Sequence, residues 1–231
     1  MEIFSLISAG EVGKLREVVE EDPRVLNTRG YDDSPPLVWA ARKGQEEVVR
    51  FLLGQEGVDL EERDEFNNTA LMVAAGEEHP GVVELLLEAG ADPTARGWVD
   101  TTALHRAAYH GLVGVLAQMV ERGAQVDAQD ENGWTPVHMA SRGGEEGVRI
   151  LASLGADLTL VTNLGRSPLH RAAFNNQPGT AAALVELGCP LHLVSPHPLT
   201  LLQVDKEGKT ALEVATEEGH HAVVAVLSSG Q

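Results

Sequence analysis

The sequence predicts an all-α solenoid of about seven stacked helix-turn-helix repeats joined by hairpin loops. Nearly the same ten residues occur twice, TALHRAAYHG at 102–111 and SPLHRAAFNN at 167–176, with TPVHMASRGG at 135–144 between them. Anchored on Pro35, Thr69, Thr102, Thr135, Ser167 and Thr210, the copies stand 34, 33, 33, 32 and 43 residues apart. A catalytic sentence is normally written once, whereas a period near 33 points to a repeated architecture. Behind each anchor come a Leu or Val two residues on and a small pair five and six on: Ala40-Ala41, Ala74-Ala75, Ala107-Ala108, Ala140-Ser141, Ala172-Ala173 and Ala215-Thr216. A second apolar run follows, such as EEVVRFLL from 46 or GVVELLLEAGAD from 81.

Each unit therefore reads as two short helices. The small pair lets the first helix lie close against its neighbours. In the second helix Val82, Val83, Leu85, Leu86 and Leu87 form an apolar stripe, and Gly90, like Gly57, Gly123, Gly155 and Gly188, ends it, because glycine accepts the left-handed C-cap conformation. Between units, ADPTARGWVD and AQVDAQDENG are too polar and glycine-marked for helix and read as turns or hairpins. One such unit cannot bury its own apolar face, so the units must stack.

TPVHMAS, SPLHRAA and TALHRAA resemble the T-P-L-H-x-A-A signature of the ankyrin repeat, and the resemblance covers nearly the whole chain. It implies one ankyrin-repeat domain over 1–231, with a capping repeat at 1–30 that keeps only the helices (EVGKLREVVEEDPRVLN) and internal repeats at 31–63, 64–96, 97–129, 130–161 and 162–194. An inserted loop at 195–204 and a terminal repeat at 205–231 (KTALEVATEEGHHAVVAVL) complete it. The resemblance also implies that His105, His138 and His170, which recur at one repeat position, bond to backbone near the hairpins.

Composition limits the functional classes. The opening MEIFSLISAGEVGKL lacks a basic segment and a long apolar run, so no signal peptide is expected, and no stretch approaches the ~18–20 apolar residues of a membrane span. A single cysteine, Cys189, excludes an intramolecular disulfide. The expected location is cytoplasmic, with the nucleus as the other candidate. A formal charge of −18 argues against nucleic-acid binding and opposes close self-association, so a monomer is expected.

That charge is unevenly placed. In the family, partners usually dock on a concave side made of hairpin tips and inner helices, here taken as repeat positions −4, −3, −1, +4, +7 and +8 from each anchor. Those 36 positions carry +1, and the other 195 carry −19. Seven of the nine aromatic residues also fall among the 36: Tyr31, Trp39, Phe66, Trp98, Tyr109, Trp134 and Phe174. Four arginines, Arg106, Arg142, Arg166 and Arg171, face only Glu131 in the fourth to sixth repeats. Interfaces favour aromatic and arginine side chains, which give rigid contact area and planar donor arrays. The candidate partner-binding residues are therefore Trp39, Phe66, Trp98, Arg106, Tyr109, Trp134, Arg142, Arg166, Arg171 and Phe174. The expected partner is a protein segment, a peptide or helix, with both apolar and acidic groups. Aromatic packing between repeats is the competing account, and it needs no ligand.

No catalytic, metal or cofactor site is expected. Equivalent histidines on helices ~8–10 Å apart cannot share a zinc ion that needs ~2.0–2.1 Å bonds. The side chains of His220 and His221 diverge on a helix, and His192 and His197 lack companions at ligand spacing. Cys189 replaces a small residue after a helix-ending glycine and reads as packed. GEEG and GEEHPG lack the lysine and the strand-to-helix setting of a phosphate loop. The stretch LHLVSPHPLTLLQV at 191–204 reads as a lengthened hairpin over the last inner helices, or as an extra wall of the partner groove. The function read from these features is a non-enzymatic protein-interaction module, an adaptor, inhibitor or assembly chaperone. The alternatives are an enzyme or small-molecule or metal binder built on the 191–204 loop, and a self-associating scaffold.

Overall fold

Each repeat anchor is a helix N-cap. In the computed structural model, which describes residues 2–30, 32–191 and 208–229, Thr69 Oγ1 accepts the Met72 N–H at 3.4 Å and Ser167 Oγ accepts the His170 N–H at 3.4 Å. Thr210 and Glu213 form a reciprocal capping box, with Glu213 Oε2 accepting the Thr210 N–H at 2.7 Å. Proline in the first turn of several helices, Pro36, Pro80, Pro136, Pro168 and Pro178, adds a preset φ where no N–H partner is needed. The outer helices end as the glycines predict: Gly57, Gly90, Gly123, Gly155 and Gly188 all have positive φ, and the Ala91 N–H, just past Gly90, closes on the Leu86 carbonyl at 3.0 Å.

Fourteen α-helices and no strand occur among the described residues, in two compact units. The first unit comprises Met1–Ala103 with Arg122–Ala124. It contains α1 (Glu2–Ala9), α2 (Val12–Glu21), α3 (Pro36–Arg42), α4 (Glu46–Leu53), α5 (Ala70–Gly76) and α6 (Pro80–Glu88). Helices α1, α3 and α5 pack in one row, and α2, α4 and α6 in a second against it. The small pairs Ala40-Ala41 and Ala74-Ala75 are fully buried in the first row, and Leu52, Leu86 and Leu87 in the second. Burying a leucine side chain stabilises by ~1.5–3 kcal/mol, so the paired helices are held by this face rather than by their own short length.

The second unit comprises Leu104–Glu121 and Gln125–Gln231. It contains most of α7 (Ala103–Tyr109), then α8 (Val113–Glu121), α9 (Pro136–Gly143), α10 (Glu145–Ser153), α11 (Pro168–Phe174), α12 (Pro178–Glu186), α13 (Ala211–Glu217) and α14 (His221–Ser229). The two-row arrangement recurs, with α9, α11 and α13 in one row and α8, α10, α12 and α14 in the other. Leu104, Leu116, Met119, Leu151 and Leu169 are its largest fully buried side chains. No described helix is long and apolar enough to cross a membrane.

The tips between helix pairs are tight turns. In the first unit the tip at 97–101 departs from ordinary geometry. Val99 lies at φ 49, ψ 35 and Asp100 at φ 60, both left-handed. The Gly97 N–H to Thr101 carbonyl bond (2.9 Å) and the Asp100 N–H to Gly97 carbonyl bond (3.1 Å) hold this conformation. A β-branched residue is strained there. Val99→Asn, which tolerates the left-handed region, is expected to raise the unfolding free energy by ~1 kcal/mol, measured by urea denaturation.

Candidate functional site

The ten candidate residues divide between the two units. In the first, α3 carries Trp39, whose indole N–H donates to Ser8 Oγ at 2.9 Å and whose ring meets Phe4 edge-on at 6.1 Å. Trp39 is thereby tied into the packing of its own unit, and Lys43 stands 4.8 Å over its ring. Phe66 and Trp98 lie on successive tips, edge to face at 5.8 Å, with 44% and 57% of their surface exposed. Tyr31 and residues 192–207 lie outside the described residues, so the expectations for the inserted loop, with His192 and His197, fall there.

The second unit gathers the remaining seven. Arg106 and Tyr109 lie on α7, Trp134 at the tip before α9, Arg142 on α9, Arg166 at the tip before α11, and Arg171 and Phe174 on α11. The guanidinium of Arg142 stacks over Tyr109 at 4.5 Å and that of Arg171 over Trp134 at 4.4 Å. Both aromatic rings are half-buried, while Phe174 keeps 56% of its surface exposed. Tyr109 and Trp134 thus pack across repeats, each against an arginine of the next repeat.

A cavity of about 170 Å³ opens between α11 and α13. Trp134, Phe174 and Val214 supply its apolar wall, and Arg166, Arg171 and Lys209 its cationic groups. Glu217 and Glu218 close the far side, where Lys209 Nζ is 2.7 Å from Glu217 Oε2. The Lys209 charge at the α13 end is thus paired with Glu217. Arg171 is held below the ordinary arginine pKa by burial and then by the neighbouring Arg142 and Arg166 charges, with Tyr109 acting in the opposite sense.

The recurring histidines build the frame beneath this face. His105 Nε2 donates to the Trp134 carbonyl at 3.0 Å, His138 Nε2 to the Arg166 carbonyl at 3.0 Å and His170 Nε2 to the Lys209 carbonyl at 2.9 Å. Each imidazole therefore fixes the backbone of the next tip, and each of those tips carries a lining residue of the cavity. With Nε2 as donor, Nδ1 is left as acceptor: His138 Nδ1 accepts the Thr135 N–H and His170 Nδ1 the Ser167 N–H, both at 3.2 Å. Burial pushes the His138 pKa down to about 3, with the bond to the Arg166 carbonyl opposing the shift and the nearby Arg171 charge adding to it.

The pattern of tip residues, rather than any single one, went unread in the sequence. Arg42 and Arg142 occupy the same repeat position, seven residues past their anchors. Arg42 is ion-paired to Asp32 and, at 2.9 Å, to Asp64. The equivalent repeat positions for Arg142 are Asn132 and Thr162. The two arginines share a repeat position, and only the acidic partners of Arg42 set them apart.

Among the described residues no group of His, Cys, Asp and Glu is placed to hold a metal ion. Cys189 is buried with its Sγ 3.5 Å from the Leu158 carbonyl, and burial pushes its thiol up to about 12, so it carries no thiolate at neutral pH.

Stacked helix pairs with short tips, an arginine–aromatic face and histidines committed to backbone define a helical-repeat protein of the kind that binds other proteins. A family model for ankyrin repeats (3 copies) matches residues 6–97 and again 104–195. The chain belongs to the ankyrin-repeat family, whose repeats are protein–protein interaction modules and generally non-catalytic.

Among individual proteins, NF-kappa-B inhibitor alpha of Rattus norvegicus is 41% identical over 73 residues, 32% of this chain and 20% of that protein. The 26S proteasome non-ATPase regulatory subunit 10 of Dictyostelium discoideum is 26% identical over 87 residues, 38% of each chain. The serine/threonine-protein kinase VIK of Arabidopsis thaliana is 36% identical over 76 residues, 33% of this chain and 17% of the kinase. The chain thus spans well under half the length of each of these relatives.

Proposed function

We propose that this protein is a non-catalytic adaptor or inhibitor that binds a segment of another protein through the arginine–aromatic face of its second unit. The observation that supports this reading is the concentration there of Arg142, Arg166 and Arg171 with Tyr109, Trp134 and the exposed Phe174, in a chain whose formal net charge is −18. Such a face favours a partner segment with apolar groups for the rings and acidic groups for the guanidinium ions. Two of the similar proteins are named as an inhibitor and a regulatory subunit, in keeping with a role exerted by binding.

Affinity capture from cell extract tests this with two folded variants. Arg171→Glu with Phe174→Ala is expected to lose the captured partners, with affinity reduced at least ~100-fold if two central contacts are removed. Phe66→Ala with Trp98→Ala, in the first unit, is expected to keep them. Equal capture by the wild type and the second-unit variant would remove the proposal.

A further inference from the structure

Resting on that reading, we infer that Arg142 and Arg171 form a receptor for a glutamate or aspartate side chain of the partner, with the apolar residue beside it seated in the cavity walled by Trp134, Phe174 and Val214. The fold supplies its own contrast. Where arginine at this repeat position is structural, as at Arg42, two aspartates neutralise it. At the repeat positions equivalent for Arg142 those aspartates are replaced by Asn132 and Thr162, whose side chains carry no charge. Thr162 keeps the turn-forming half of the role of Asp64: its hydroxyl accepts the Leu164 and Arg166 N–H groups as the Asp64 carboxylate accepts those of Phe66 and Asn68. What is missing is the negative charge alone.

Arg171 shows the same deficit. Its guanidinium rests on the Trp134 ring, its Nε is buried without a hydrogen-bond partner, and no described carboxylate pairs with it. A half-buried cation beside a second cation is costly unless an anion joins them. Stacking on Tyr109 and Trp134 fixes both planar guanidinium groups before a ligand arrives, which lowers the ordering cost of bidentate binding.

The cavity sets the rest of the specificity. At about 170 Å³ it has room for a side chain but not for a folded element, and its wall beside Arg171 is aromatic. Glu217 and Glu218 on the far side repel a second negative group and so favour a carboxylate, with one charge, over a phosphate, with nearly two. The occupant is an extended or helical protein segment with one acidic residue next to a large apolar one.

A random 12-residue peptide library selected on the full chain tests this. Enriched peptides are expected to share an Asp or Glu beside Leu, Ile, Met or Phe. Replacing that acid by its amide is expected to weaken binding by ~10-fold or more, as is Arg142→Gln or Arg171→Gln in a protein of unchanged melting temperature. Arg171→Lys, which keeps the charge and loses the planar fork, is expected to fall between. Enriched peptides that bind the second unit but tolerate the amide within twofold would overturn the carboxylate receptor and leave the protein-binding face standing. Tighter binding of a phosphoserine version than of the glutamate version would reassign the pair to phosphate and also overturn it. Failure to enrich any peptide would count against both readings.

Discussion

His138→Ala is expected to destabilise the protein by ~3 kcal/mol or more, because it leaves the Thr135 N–H without its side-chain acceptor, takes from the Arg166 carbonyl one of its two donors (the Thr162 N–H remains) and opens a cavity in the core. The same residue gives the protein an acid-sensitive component. The unfolded imidazole takes up a proton near 6.5, whereas the folded one resists until about 3. A depressed folded pKa means that the contribution is fully present above the unfolded value and is lost as pH falls toward the folded one. Between pH 6.5 and pH 5 the loss from this group is ~2 kcal/mol, from 1.36 kcal/mol per pKa unit. Chemical denaturation of the wild type and of His138→Gln across pH 7 to 4 measures it. The difference between the two should shrink with acid, and a difference independent of pH would show that the imidazole is not buried neutral.

Gly133→Ala is expected to cost a similar ~3 kcal/mol for a different reason. Gly133 lies at φ +79 at the tip that carries Trp134, and a Cβ there would stand 2.8 Å from the Asn163 backbone nitrogen and 3.0 Å from the Thr162 Cα. Neither is the end of a flexible side chain, so the next tip must move. It is held in place by the Asn163 N–H to Asn132 carbonyl bond (2.9 Å) and the Asn163 side-chain amide to Glu131 carbonyl bond (2.9 Å). Gly155→Ala is the control: φ is +93 but nothing lies within 4 Å of the added carbon, so only the ~1–2 kcal/mol left-handed cost applies. Urea midpoints of the two variants compare them directly. Gly133→Ala should also weaken partner capture, since Trp134 sits beside it under Arg171; equal stability of the two variants would mean that the tips are not packed closely.

The fold was legible because each repeated residue answers a local demand. Thr69, Ser167 and Thr210 cap helices wherever they occur, the paired alanines fit only where helices approach closely, and Gly90 and its counterparts stop helices through their own backbone freedom. The family signature in turn pointed His105, His138 and His170 to backbone partners, and each has one.

The candidate site was legible in composition but not in state. Sequence placed Arg42 and Arg142 at one repeat position and Trp39 and Trp134 among the same aromatic residues. Whether an arginine is neutralised depends on carboxylates brought to it from other tips, and whether a ring is free depends on what lies over it. Asp64 reaches Arg42 from 22 residues away, and Ser8 reaches Trp39 from 31. By itself the sequence determined that this protein is a chain of capped, close-packed helix pairs with an arginine–aromatic face. The tertiary structure decided which of those arginines are already paired and which, at Arg142 and Arg171, are stacked and without a carboxylate among the described residues, because charge compensation is set by distance in space and not by position in the repeat.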